Sequence, residues 1–213
     1  MRYPESLILI RHGESTGNVA RAEALADGTE VMDIPERDPD IPLSDLGRSQ
    51  AKRVGHWLAT QEQPDLIVSS PYLRALDTAR IATGRADIRV DERLRDREMG
   101  VLYRLTVRGV NRRFPEEFER KRDHGKFYYR PPSGESWADM ALRLRFLLSE
   151  LPDRRILITT HDAVIMLFRY IIEGLSEAEL MDLEQEPVAN CSVSRWDRGE
   201  PVAFNDIAHL TLQ

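Results

Sequence analysis

Two histidines, each following an apolar run, are the residues best placed to do chemistry. His12 comes after Leu7 to Ile10 and Arg11 and is followed by Gly13, while His161 directly follows Arg155 to Thr160. A short apolar run leading into a cation, an imidazole and a residue free to turn is a buried strand feeding a reactive loop. Ser15, Thr16 and Asn18 add short donors, and with Arg11 they suit an oxyanion such as a phosphoryl group. Taken alone, Arg11-His12-Gly13 is equally compatible with a solvated histidine at a strand-loop junction. Further candidates lie downstream. Arg74 falls in the first turn of a helix starting near Tyr72. The helix dipole disfavours a cation there, which points to a bound anion, the alternative being a surface pair with Asp77. Asp96 and Glu98 alternate with arginines between Leu94 and Gly100.

Positioning these residues requires a sheet. Leu7–Ile10, Asp65–Ser69, Asp87–Val90 and Arg155–Thr160 read as strands, with a last one at Cys191–Trp196. Helical periodicity begins after Ser44, a predicted N-cap, with Leu46, Val54, Trp57 and Leu58 on one face. It resumes near Tyr72 and after Ser136, where Trp137, Met140, Ala141, Leu144, Leu147, Leu148 and Leu151 form a core face. Ala163 to Ile172 is apolar nearly all round, as a helix buried on a sheet should be, and Leu175 to Leu183 also reads as helical. Val19 to Pro42, with Pro35, Pro39 and Pro42, reads as a long irregular connection, a lid beside the His12 loop. His12, Arg74, Asp96 and His161 then lie just beyond four successive strands. One crevice at the carboxyl edge of an open α/β sheet accounts for that coincidence.

The motifs resemble those of the histidine phosphatase superfamily, the phosphoglycerate mutase-like family. The resemblance rests on Arg11-His12-Gly13-Glu14-Ser15, on Leu43-Ser44-x-x-Gly47-x-x-Gln50-Ala51, on Ser69-Ser70-Pro71-x-x-Arg74-Ala75-x-x-Thr78-Ala79 and on Thr160-His161, in that order. It implies a three-layer sandwich whose mostly parallel sheet is flanked by helices, no metal, no cofactor, and catalysis through a phosphohistidine. By matching positions, His12 is the nucleophile, and Arg11, Asn18, Arg74 and His161 form the phosphate pocket. The family's Leu-x-Glu-x-x-x-Gly pattern puts the proton donor at Asp96, one methylene shorter than the usual glutamate, which leaves Glu98 as a rival. Where the family often has glycine after the second histidine, this chain has Asp162, expected to cap the following helix, with a proton relay as the alternative. To attack phosphorus, His12 must be neutral with one nitrogen bare, so its other nitrogen should donate to a carbonyl, as from the following loop. The expected activity is that of a phosphomonoesterase acting on a phosphorylated small molecule. A mutase would use the same pocket, but the mutases' aromatic and asparagine pattern is replaced here by Thr16-Gly17-Asn18. The third alternative is an idle phospho-ligand binder, against which the joint presence of His12, His161, Arg11 and Arg74 argues.

Composition bounds the rest. The 213 residues suit a single domain with one insertion, and a net charge of −6 gives no global field toward nucleic acid or membrane. The single Cys191 excludes an internal disulfide and a Cys-rich metal site, and it is expected to be packed and inert. No apolar stretch reaches membrane-spanning length, so a cytoplasmic protein is expected; the oligomeric state is not legible. An insertion after the third strand, about residues 100–135, carries nine Arg and Lys against five Asp and Glu, interleaved with aromatics. It reads as a helical cap, either solvated or gripping an anionic substrate through residues such as Arg104 and Arg108, and more weakly as a nucleic-acid binder. His56, His124 and His209 are expected at the surface.

Overall fold

In the computed structural model, which describes residues 2–211, six strands form one sheet in the order β3-β2-β4-β1-β5-β6. β1 (Ser6–Arg11), β2 (Leu66–Ser69), β3 (Arg89–Val90) and β4 (Arg155–Thr160) are mutually parallel. β5 (Val193–Asp197) and β6 (Glu200–Asp206) add antiparallel strands beyond β1. β6, absent from the sequence reading, returns from β5 through a tight turn at Arg198 and Gly199, both at positive φ.

Strand alternation divides the core in two. Leu7 and Leu9 of β1 face α6 (Trp137–Glu150) and α7 (Asp162–Glu173). Ile8 and Ile10 face α2 (Asp45–Leu58) and α3 (Leu73–Thr83) on the opposite side. Successive side chains of a strand point to opposite faces, so a continuous apolar run is what a sheet covered on both sides requires. The result is the expected three-layer α/β sandwich. α7 buries Val164, Ile165, Met166, Leu167, Phe168 and Ile172, and α2 starts at Ser44, whose hydroxyl accepts from Gly47 N. Leu46 does not share the buried face of α2, which Gly47, Ala51, Val54 and Leu58 form; it is 54% exposed.

The stretch after His12 is the main departure from the sequence reading. Thr16–Ala26 is a helix, α1, rather than the beginning of an irregular connection. Its only buried residue is Ala24, so no apolar stripe announces it. A reciprocal capping box starts it instead: Ser15 Oγ accepts from Asn18 N, and Asn18 Oδ1 accepts from Ser15 N. The prolines act only later, around a single 3₁₀ turn at Asp38–Asp40, where Ile34 and Ile41 are buried anchors. After β3 come 3₁₀ turns at Glu92–Leu94 and Gly100–Leu102, then α4 (Val107–Arg113) and α5 (Pro115–Tyr128), the latter kinked at Gly125, where φ is +71°. α8 (Glu177–Leu183) packs on α5 and α7, and the short α9 (Ala208–Thr211) packs on α2. α9 buries His209, whose Nε2 lies 2.9 Å from Cys191 O, so this histidine belongs to the interior and not to the surface.

Candidate active site

The register of the sheet brings the two histidines together. β1 pairs with β4 so that Arg11 faces Thr160, and His12 N continues the ladder by donating to Thr160 O at 2.9 Å. The next residues on the two strands are therefore His12 and His161, with ring centroids 5.2 Å apart. His12 is 3% exposed and His161 is wholly buried.

Backbone and side chains around them fix the tautomers. His12 Nδ1 lies 2.7 Å from Gly13 O. A carbonyl only accepts, so Nδ1 carries the hydrogen and Nε2 is bare. Gly13 N in turn donates to Thr78 Oγ1 at 3.0 Å, and Thr78 Oγ1 donates to Arg74 O at 2.7 Å, which ties the His12 loop to α3. Glu14 N donates to Gln50 Oε1, and the Gly47 backbone passes so close to Glu14 that a Cβ there would lie 1.9 Å from Glu14 O. The Ser44-Gly47-Gln50 spacing thus serves to seat the His12 loop on α2. His161 Nε2 lies 2.8 Å from Ser70 Oγ, which also accepts from Tyr72 N at 3.3 Å. The Asp96 carboxylate near Nδ1 can only accept, which favours the imidazole hydrogen on Nδ1 and the Ser70 hydroxyl donating to Nε2. That Nδ1 has no hydrogen-bond partner and lies 3.5 Å from Asp96 Oδ2.

Arg74 is 5% exposed in its side chain and does not pair with Asp77, which meets Arg80 instead. Its Nη1 lies 2.9 Å from Asp38 Oδ1 and donates to Asp38 O at 2.7 Å, while Nη2 donates to Asp96 Oδ2 at 3.3 Å. Arg11 donates to Val188 O from Nη1, and its buried Nε is unpartnered. Asn18 accepts at Oδ1 from Ser15 N, Ser15 Oγ and Asn190 Nδ2, which leaves its amide donors for the cleft. Burial, then Arg74, His161 and Arg11, hold the His12 imidazole well below the usual histidine range. Burial, then Arg74, Arg11 and Arg143, do the same for His161. Both rings are neutral at neutral pH.

These groups line an open cleft of about 470 Å³. Arg11, His12, Ser15, Asn18, Arg74, Asp96, Arg104 and Asp162 all reach its wall, with His161 directly behind. Besides His161, two sequence candidates do not. Thr16 is exposed at the start of α1, its N–H donating to Pro42 O. Glu98 is exposed and folds back so that Oε1 accepts from Gly100 N at 3.2 Å. Ser15 reaches the cleft with its hydroxyl committed to the α1 cap. Asp162 is not the cap of α7: His161 holds that position without a side-chain bond, and Asp162 instead accepts from Val188 N at 3.4 Å beside Arg11. Burial pushes its carboxyl up, with Arg11 opposing. Of the two insertion arginines singled out, Arg104 lines the cleft and Arg108 is exposed outside it.

The sequence reading missed Asp38, Ser70 and Asn190. Asn190 Nδ2 donates to His12 O at 2.9 Å from the loop before β5, where Cys191 N bonds Arg11 O and His12 O at a backbone φ of +56°. Burial pushes the Cys191 thiol up to about 12, as suits a packed cysteine. Among the described residues no group of three or more His, Cys, Asp or Glu converges as a metal site, and no helix is long and apolar enough to cross a membrane.

Four buried side-chain polar atoms lack a partner among the described residues, and three are donors at this site: Arg11 Nε, Arg104 Nε and His161 Nδ1. These unpartnered donors, beside the guanidinium groups of Arg11 and Arg74, suit an anion, with Asp38, Asp96 and Asp162 as the carboxylates in the same cleft. The histidine phosphatase superfamily (branch 1) model matches residues 7–205, and the chain belongs to that family. It is 32% identical over 173 residues to a glucosyl-3-phosphoglycerate phosphatase of Mycobacterium tuberculosis, covering 75% of this chain and 71% of that protein. It is also 28% identical over 204 residues to a 6-phosphofructo-2-kinase/fructose-2,6-bisphosphatase of Aquarana catesbeiana, covering 94% of this chain and 38% of that one. This chain therefore spans well under half of the two-activity relative. The solved structure of a mycobacterial glucosyl-3-phosphoglycerate phosphatase in complex with VO3 superposes with a TM-score of 0.71 at 30% identity, covering 90% of this chain and 92% of that one.

Proposed function

We propose that the protein is a phosphomonoesterase that hydrolyses a phosphorylated small molecule through a phosphohistidine on His12. The observation that supports this most directly is a neutral imidazole with a bare Nε2, its Nδ1 bound to Gly13 O, beside buried donors that have no acceptor. His12 Nε2 attacks phosphorus, and the bond to the alcohol oxygen breaks. Arg11, Arg74, Asn18 and the Nδ1–H of His161 hold the equatorial oxygens, whose charge grows in the transition state. Asp96, as the acid, gives its proton to the departing alkoxide. As the carboxylate it then takes a proton from the water that cleaves the phosphorus–nitrogen bond and releases phosphate. Residues 100–135 act as a cap over this site within a single 1–213 domain. The charge on the phosphoryl group is met by arginines, without a metal.

Incubation with a labelled phosphoester followed by rapid quenching should trap an acid-labile, base-stable adduct that is absent from His12→Ala. Equal labelling of that variant would overturn the assignment of the nucleophile. Turnover should persist in EDTA; loss with rescue by a divalent ion would overturn the metal-free mechanism.

A further inference from the structure

The cleft does not end at the phosphate site. A second cavity of about 440 Å³ opens under α4 and α5 and shares wall residues with the first, among them Met32, Arg97, Met99, Leu102 and Leu105. These shared residues form a throat. Beyond it the walls are largely apolar, with Val107, Val110 and Phe118 on the cap side.

The insertion's positive charge is unevenly matched. Most of the cap's cations are paired: Arg112 and Arg113 with Glu30, Arg120 with Glu117, Arg130 with Asp139, and, on the chamber wall itself, Arg122 with Glu119 and Lys126 with Glu184; Arg108 is exposed to solvent. At the throat and chamber, Arg97, Arg104 and Lys121 form no ion pair among the described residues. Arg97 donates only to backbone carbonyls, Glu135 O at 2.8 Å and Tyr129 O at 2.9 Å, and Arg104 keeps its buried Nε unpartnered. Partial desolvation, then Lys126 and Arg97, lower the Lys121 ammonium from its usual range. The chamber's single carboxylate, Glu117, is held by Arg120 at 2.7 Å and by the Tyr129 hydroxyl at 2.8 Å. An anion entering here meets the buried, unpartnered Nε of Arg104 and the guanidinium of Arg97, neither of which a carboxylate already neutralises.

We infer that the chamber receives the non-reacting end of the substrate, and that the substrate is an extended phosphomonoester with an apolar body and a second acidic group at its far end. The inference rests on the phosphatase reading for the reacting end. Arg104 meets the ester near the phosphoryl group, the throat holds the apolar body, and Lys121 and Arg97 receive the distal acid, a carboxylate or a second phosphate.

The test uses non-hydrolysable alkylphosphonates of graded length ending in hydroxyl, carboxylate or a second phosphonate, with Kd measured by calorimetry on the full chain. At the fitting length an acidic terminus should tighten Kd about tenfold or more over the hydroxyl, as a hydrogen bond to a charged group contributes. The better of the two acids identifies the source of the anion. Lys121→Met should abolish most of that gain, and Lys121→Arg should restore it. Equal Kd values for all three termini at every length, or a gain unaffected by Lys121→Met, would overturn the inference. Phosphate release from p-nitrophenyl phosphate, measured separately on the wild type and His12→Ala, tests the phosphatase reading, so the two can fail independently.

Discussion

Replacing Asp96 by asparagine should remove from kcat/KM on an alkyl phosphate a leaving-group contribution of about 10² to 10⁴, that typical of a general acid. An alkyl alkoxide must be protonated as it leaves; nitrophenolate departs unaided, so p-nitrophenyl phosphate should lose far less. The structure separates this effect from simple disruption. Asp96 Oδ1 accepts from Arg97 N at 2.8 Å, and Oδ2 accepts from Arg74 Nη2 at 3.3 Å. Asparagine keeps one acceptor, so one of these donors must face an amide NH2. That mispairing costs about 1–3 kcal/mol and disturbs Arg74. In the proposed mechanism Arg74 holds the phosphoryl group in both reactions, so this loss is common to both substrates and cancels in their ratio. What remains in the ratio is the leaving-group term, about 3–5 kcal/mol at roughly 1.36 kcal/mol per decade. Initial rates of phosphate release on both substrates, with phosphorylation limiting kcat/KM for each, would measure it. Glu98→Gln serves as the comparison, because Glu98 is exposed and a glutamine can still accept from Gly100 N. An unchanged substrate ratio in Asp96→Asn, or a split that appears in Glu98→Gln instead, would refute the assignment of the acid.

Three further outcomes are expected. Ser70→Ala removes the donor to His161 Nε2, letting the ring carry its hydrogen there and turn a bare Nδ1 toward the phosphate; kcat/KM should fall about tenfold or more, and an unchanged value would show that Ser70 does not set the tautomer. Gly47→Ala should destabilise the fold by about 1–3 kcal/mol in urea melts, because the added Cβ meets Glu14 O, even though helix propensity alone predicts a gain of about 1 kcal/mol. Unfolding free energy should fall as pH drops below the ordinary histidine value of 6.5. The unfolded chain binds protons there that the buried neutral His12 and His161 refuse, and the slope approaches about 1.4 kcal/mol per pH unit for each ring. A flat profile just below pH 6.5 would contradict the depressed values.

Much of the framework was legible because it depends on local periodicity. The apolar runs of β1, β2 and β4, the all-round apolar α7 and the reactive residues past the strand ends follow from the covered faces of a parallel sheet, where ligands bind at the carboxyl edge. The requirement that His12 donate one nitrogen to a loop carbonyl also came from chemistry alone, and Gly13 O meets it. The misreadings share one cause. α1 is started by a side-chain cap and buries only Ala24, so no hydrophobic period marks it. The partners of Arg74 are Asp38 and Asp96, 36 and 22 residues away, and not the nearby Asp77. Asp162 faces Arg11 and Val188 N instead of capping its own helix, and Asn190 reaches His12 O across 178 residues. The charge count of the cap could not show its pairing for the same reason: carboxylates outside the insertion, Glu30, Asp139 and Glu184, neutralise several of its cations, Lys126 at the cavity among them. Apolar burial repeats with the period of the element that carries it and is written locally. Hydrogen bonds and ion pairs are settled by which polar groups the packed layers leave face to face, and only the tertiary structure decides that.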